Sequence, residues 1–265
     1  MQILTGPIPT AIPGVVYDLS NDPATPDDVQ LTPGLLATYP FGMRALDGND
    51  TVMGSADSEL IFGNIGEDRL EGSGGNDSLL GGRDNDVING HEEDDLLAGN
   101  IGNDIVDGGA GNDSLFGGQN NDALVGGEGN DTMSGDFGVD ALIGGVGADV
   151  FVLRADNTSS LAEFSIGGGN ADVLIDFNGA EDRIALTGGL TEASLITLEL
   201  NNQPLQITPE VQGLIDAGIL PLTAIDPDGD GLVNGTLIGI NGTGQFLGVA
   251  LNVTPIDLQG KFISI

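Results

Sequence analysis

The chain has 265 residues, 41 of them acidic and only 6 basic, for a formal charge of −35. Such a charge repels nucleic acid and anionic lipid and attracts multivalent cations. Cysteine is absent, so disulfides and thiolate metal sites are excluded. No apolar run is long enough to span a bilayer as a helix.

Residues 1–44 carry no repeat and are broken by Pro7, Pro9, Pro13, Pro23, Pro26, Pro33 and Pro40. They read as an N-terminal cap of short extended pieces, with one strand expected near residues 14–19. The N-terminus lacks a basic stretch followed by an apolar one, so a cleaved signal peptide is not expected.

From residue 45 to residue 152 one register of nine holds for twelve units. The sixth place is acidic throughout: Asp50, Glu59, Asp68, Asp77, Asp86, Asp95, Asp104, Asp113, Asp122, Asp131, Asp140 and Asp149. Two residues on, the side chain is always apolar, from Val52 and Ile61 to Leu142 and Phe151. Five residues before the acid stands glycine, except for Ala45 in the first unit. A fixed period of this kind specifies a solenoid. Each unit splits into a six-residue turn and a three-residue strand whose middle residue points inward. Two units make one turn of a flattened coil, so about six turns are expected, stacked ~4.8 Å apart.

The acids then form two columns, one from Asp50 to Asp140 and one from Glu59 to Asp149. Carboxylates ~5 Å apart repel by ~3 kcal/mol per pair at an effective dielectric constant of ~20. A cation between them removes that cost. Calcium suits the slot because it takes 6–8 oxygen ligands and accepts backbone carbonyls. Magnesium demands a tight octahedron, and zinc prefers nitrogen or sulfur, which only His91 supplies here.

The units Gly108-Gly109-Ala110-Gly111-Asn112-Asp113 and Gly126-Gly127-Glu128-Gly129-Asn130-Asp131 closely resemble those of the RTX (repeats-in-toxin, hemolysin-type calcium-binding) family. The resemblance covers residues 45–152. It implies an all-β, right-handed parallel β-roll with an N-terminal and a C-terminal cap. It also implies several calcium ions, each between one loop and the loop a turn later. The metal ligands carried over are Asp50, Asp68, Asp77, Asp86, Asp95, Asp104, Asp113, Asp122, Asp131, Asp140 and Asp149, with the loop glycines Gly102, Gly109, Gly111, Gly118, Gly127 and Gly129. Five gaps per column cap the count at roughly ten ions. Asp57, Asp84, Glu93 and Asn120 replace the fourth-place glycine, and Glu59 replaces the aspartate, so sites on those loops are expected to be altered.

Outward strand positions differ between the walls. One reads Phe62, Leu80, Ala98, Phe116, Ser134, Val152, and the other Met53, Glu71, Asn89, Asp107, Val125, Ile143. The Phe62–Leu80–Phe116 stripe is expected to be covered, by a terminal segment or a second chain.

Residues 153–265 read as a β-rich C-terminal cap. Residues 147–153, 171–177 and 180–186 resemble the tail that follows the repeats in secreted RTX proteases. Asp172, Asp176 and Asp182 read either as further calcium ligands or as solvated turn residues. A short helix is expected at residues 209–217, after Thr208-Pro209. Asp226, Asp228 and Asp230 open like a calcium loop, but Leu237 stands where an EF-hand needs an acid. Residues 236–240 and 245–253 read as a hairpin across Asn241-Gly242. The apolar end Phe262-Ile263-Ser264-Ile265 resembles a type I secretion signal and reads equally as a final strand.

The function these features imply is that of a secreted, extracellular calcium-binding protein with a structural or interaction role. Cell-surface glycan, a surface layer or self-association are the partners considered, with no nucleic acid and no membrane span. The alternative is an accessory module of a secreted enzyme or adhesin. Catalysis by the chain itself is not expected: HExxH and GxSxG motifs are missing, and His91-Glu92-Glu93 lacks a second histidine because position 95 is Asp. Ice binding is set aside, since the third loop place carries no rank of threonines.

Overall fold

A computed structural model describes residues 2–3, 17–18, 26–38, 42–155, 159–160, 171–204, 232–241, 243 and 245–265. The expected helix at 209–217 and the acids Asp226, Asp228 and Asp230 lie outside them.

The described chain is a β-solenoid of parallel stacked coils, about six turns over the repeats, and the expected fold class is borne out. Its first wall is a 13-stranded sheet and its second a 10-stranded sheet. Strands pair in parallel with partners eighteen residues away, as in Leu97↔Leu115 and Val106↔Leu124. The strands are longer than the three residues expected. Leu60–Ile65, Ser114–Gln119 and their counterparts have six, because pairing runs on into the second and third loop places.

The inward side chains stack into a narrow aliphatic core. Ile61, Leu70, Leu79, Ile88, Leu97, Leu115 and Leu124 are fully buried, and Phe151 closes the row against Phe177, ring centroids 5.8 Å apart. The period of nine works because it returns an apolar residue to this core from alternate walls.

Parallel pairing continues beyond the repeats at both ends. Asp28–Gln30 pairs with Thr51–Met53, and Tyr17–Asp18 with Met43–Asp47. After the repeats, Asp172–Leu174 joins the first wall and Arg183–Leu186 the second, followed by Phe262–Ser264. The expected hairpin is present as Leu232–Ile240 against Gln245–Leu251, extended by Leu195–Pro204.

The outer faces correct one expectation. Phe62 and Leu80 are half-buried and Phe116 is 37% exposed, so among the described residues the terminal-segment cover fails at Phe116, and cover by a second chain stays an expectation. The buried outer face is on the other wall, where Ala123, Ala141, Ile143 and Val173 cluster with Leu237, Phe246 and Val249. The physical reason is connectivity: the C-terminal hairpin extends the first wall, so its apolar residues continue that wall's outer face.

Candidate metal centre

The turns between walls place the acids along two edges, and hydrogen bonds lock them there. Each acid's backbone N–H donates to Oδ1 of the acid one turn later at 2.7–2.9 Å. This runs from Asp50→Asp68 to Asp122→Asp140 in one column and from Glu59→Asp77 to Asp131→Asp149 in the other. The backbone N–H after the acid donates to the preceding acid's carbonyl, as in Ala123 to Asp104 at 2.9 Å. All twelve acids are buried.

The second oxygen is what makes this a candidate metal centre. Oδ2 of Asp50, Asp68, Asp77, Asp86, Asp95, Asp104, Asp113, Asp122, Asp131 and Asp140 is buried and has no hydrogen-bond partner. A buried anionic oxygen left unpaired is costly, and a cation between successive acids would satisfy these oxygens along both columns. Burial, reinforced by neighbouring acids, pushes Asp122 up to about 9 and Asp86 to about 8. Asp68, Asp77, Asp95 and Asp131 rise to about 7 for the same reasons, and Asp104 to about 6 by burial.

Loop carbonyls of neighbouring turns lie close against the loop glycines. A Cβ added at Gly127 or Gly129 would overlap the carbonyl oxygen of Gly109 or Gly111 one turn earlier. Gly118 stands likewise over the Asn100 carbonyl and Gly102 over that of Asp84. Among the described residues no three carboxylate or imidazole groups converge on one point. An ion held here must therefore draw heavily on carbonyls, which suits calcium and disfavours zinc. Replacing Gly129 with alanine is expected to cost at least ~1–2 kcal/mol, because its φ of 136° is hostile to a side chain and the methyl meets that carbonyl. A urea titration in saturating calcium checks it.

Several expected departures have a visible form. Asp84, Glu93 and Asn120 keep the left-handed backbone of the glycine they replace, with φ of 74°, 72° and 79°. Glu59 is different: its two carboxylate oxygens accept the backbone N–H and hydroxyl of Ser55 in its own loop. His91 sits at the second loop place, Nε2 3.5 Å from Glu71 Oε2, as an ordinary loop residue.

Two features were missed from the sequence. The fifth place forms a ladder of its own, in which Asn103 N–H donates to Asn85 Oδ1 at 2.8 Å and Asn121 N–H to Asn103 Oδ1 at 3.0 Å. Asparagine recurring at that place was the available signal. Asp27 also takes a column place ahead of the repeats, its N–H donating to Asp50 Oδ1 at 2.7 Å.

A family model for the RTX calcium-binding nonapeptide repeat matches five overlapping windows, at residues 44–79, 62–97, 80–115, 90–124 and 116–151. Residues 44–151 are an RTX calcium-binding repeat array. The RTX repeats bind calcium in their stacked loops, and the two columns of buried aspartates fit that chemistry. No curated protein matches the chain at a significant level.

Proposed function

We propose that this RTX chain is a secreted calcium-binding protein whose solenoid forms when calcium enters the loop gaps outside the cell. Its role is structural or interactive rather than catalytic. The observation that carries this reading is the double column of buried acids, ten of whose aspartates present an unpartnered Oδ2. We assign the ions to gaps such as Asp104–Asp122 and Asp113–Asp131, with carbonyls of Gly109, Gly111, Gly127 and Gly129 as further ligands. The gap between Glu59 and Asp77 is the weak one.

Residues 45–152 are the calcium-responsive unit, with 1–44 and 153–265 as its caps. Without the ion, a glycine-rich chain of charge −35 cannot offset its entropy and self-repulsion. An extended chain suits export through a type I channel, and binding energy becomes folding energy on arrival. Exposed Leu96, Ile101, Phe116 and Phe137 on the second wall support an interaction role there. Fractionating a producing culture with an antibody to the chain tests export: the protein is expected in the medium, and retention inside the cell would refute it.

A further inference from the structure

The acid column leading into the first wall does not stop at the last nonapeptide. Asp140 and Asp172 are 32 positions apart, against 18 within the array. The contacts of the array nevertheless reappear. Asp140 N–H points to Asp172 Oδ1 at 3.4 Å, and Val173 N–H donates to the Asp140 carbonyl at 2.7 Å. Ala141 pairs with Val173 and Leu142 with Leu174, and Leu174 is fully buried in the main core.

Chain order gives the reason. Gly167-Gly168-Gly169-Asn170-Ala171-Asp172-Val173-Leu174 repeats the nonapeptide, with glycine five places before the acid and an apolar residue two places after it. Asparagine at the fourth place has a precedent in Asn120. The RTX match ends earlier, at residue 151.

The two carboxyl groups are buried together. Asp140 and Asp172 are each 1% exposed, and their carboxyls lie close enough to interact. Asp140 Oδ2 has no hydrogen-bond partner. Two buried carboxyls facing one another need a shared proton or a metal ion.

We propose that residues 167–175 are a thirteenth, displaced nonapeptide, and that Asp140 and Asp172 hold one further calcium ion beyond the matched array. The inference rests on the calcium reading of the columns. Residues 153–166 are then an insertion between the twelfth and thirteenth units. The added ion ties the array to the C-terminal hairpin, because Asp172–Leu174 carries Gln245–Leu251 on its other edge.

The second column ends differently. Asp182 takes the next place, its Oδ1 accepting Asp149 N–H at 3.0 Å, but its Oδ2 accepts Asn178 N–H at 2.7 Å. Both Asp182 oxygens thus accept an amide, whereas the column aspartates leave Oδ2 without one. Asp176 is occupied too, its oxygens accepting Gly144 N–H and Gly145 N–H at 2.8 Å each. It clamps the loop of the twelfth unit.

Native mass spectrometry of the full chain in saturating calcium tests this. Asp172→Asn is expected to bind one ion fewer than the wild type, and Asp182→Asn the same number. If Asp172→Asn keeps the full count, the thirteenth site is wrong while the columns stand. An equal loss in Asp182→Asn would overturn the asymmetry. A wild-type chain that binds no calcium would remove the calcium reading itself. Should Asp172→Asn fail to fold, wild-type crystals grown in calcium decide. Ion density between Asp140 and Asp172 supports the site, and water or nothing there refutes it.

Discussion

In calcium-free buffer, acidification from pH 8 to pH 5 is expected to make the chain more compact, the reverse of ordinary acid denaturation. The sign follows from the column acids. An aspartate in the unfolded chain titrates near ~3.9. In the coil, burial and then neighbouring acids raise Asp122 to about 9, Asp86 to about 8, and Asp68, Asp77, Asp95 and Asp131 to about 7. The coil therefore binds more protons than the unfolded chain across this range. Its metal-free stability is fully present below ~pH 4 and is lost as pH rises through about 6, where Asp104 titrates, to about 9. Working at pH 5 also stays above the isoelectric point of about 4.1, where loss of net charge would precipitate the protein.

With calcium present the same protons act as competitors. Where the metal-free chain is a protonated coil, an ion that displaces one proton loses ~10-fold in affinity per pH unit, so the calcium midpoint is expected to rise as pH falls from 7.5 to 5.5. Far-ultraviolet circular dichroism and hydrodynamic radius in EDTA, with a calcium titration at each pH, check both halves. A chain equally disordered in EDTA at pH 8 and pH 5, with a calcium midpoint indifferent to pH, would contradict them.

Replacing Asp122 with asparagine should change sign with calcium. Asp122 is fully buried, and its Oδ1 accepts Asp104 N–H at 2.9 Å while its own N–H donates to Asp140 Oδ1 at 2.8 Å. Asparagine keeps the acceptor and the backbone donor but removes the charge whose Oδ2 has no partner. In EDTA at neutral pH, Asp122→Asn is expected to be more structured than the wild type, because repulsion from Asp104 and Asp140 is gone. In calcium it loses a ligand facing two gaps, and the calcium midpoint should rise by at least ~10–100-fold. Asp94→Asn is the control: Asp94 is exposed at the fifth loop place and binds Asn112 N–H at 2.7 Å, so neither effect is expected. An Asp122→Asn chain weakened in both conditions would mean that the aspartate serves geometry and not metal.

Much of this was legible because the period is covalent. Val52 through Phe151 could be assigned to the core, and the acids to two columns, since nine residues make half a turn. What the period does not encode was harder to see. The outer faces of Phe62 and Ala141 look alike as local sequence. Which one is buried depends on where the hairpin 232–251 joins the sheet, a long-range matter. The fifth-place asparagine ladder is not visible within any one unit, because each rung depends on the amide of the next coil. Asp172, Asp176 and Asp182 were indistinguishable as acids near turns. Only their partners separate them: Asp172 faces Asp140, Asp176 holds two glycine amides, and Asp182 binds two amides of its own. Gly167–Asp172 was readable as a thirteenth unit, but the insertion before it breaks the count of nine.

The central claim is that cations between stacked aspartates create the coil. Circular dichroism and bound calcium measured in one titration at pH 7.5, starting from EDTA, test it most directly. The two signals should rise together, from a disordered spectrum with no bound ion to a β spectrum at full occupancy. A full β spectrum in excess chelator, before any calcium is bound, would contradict it.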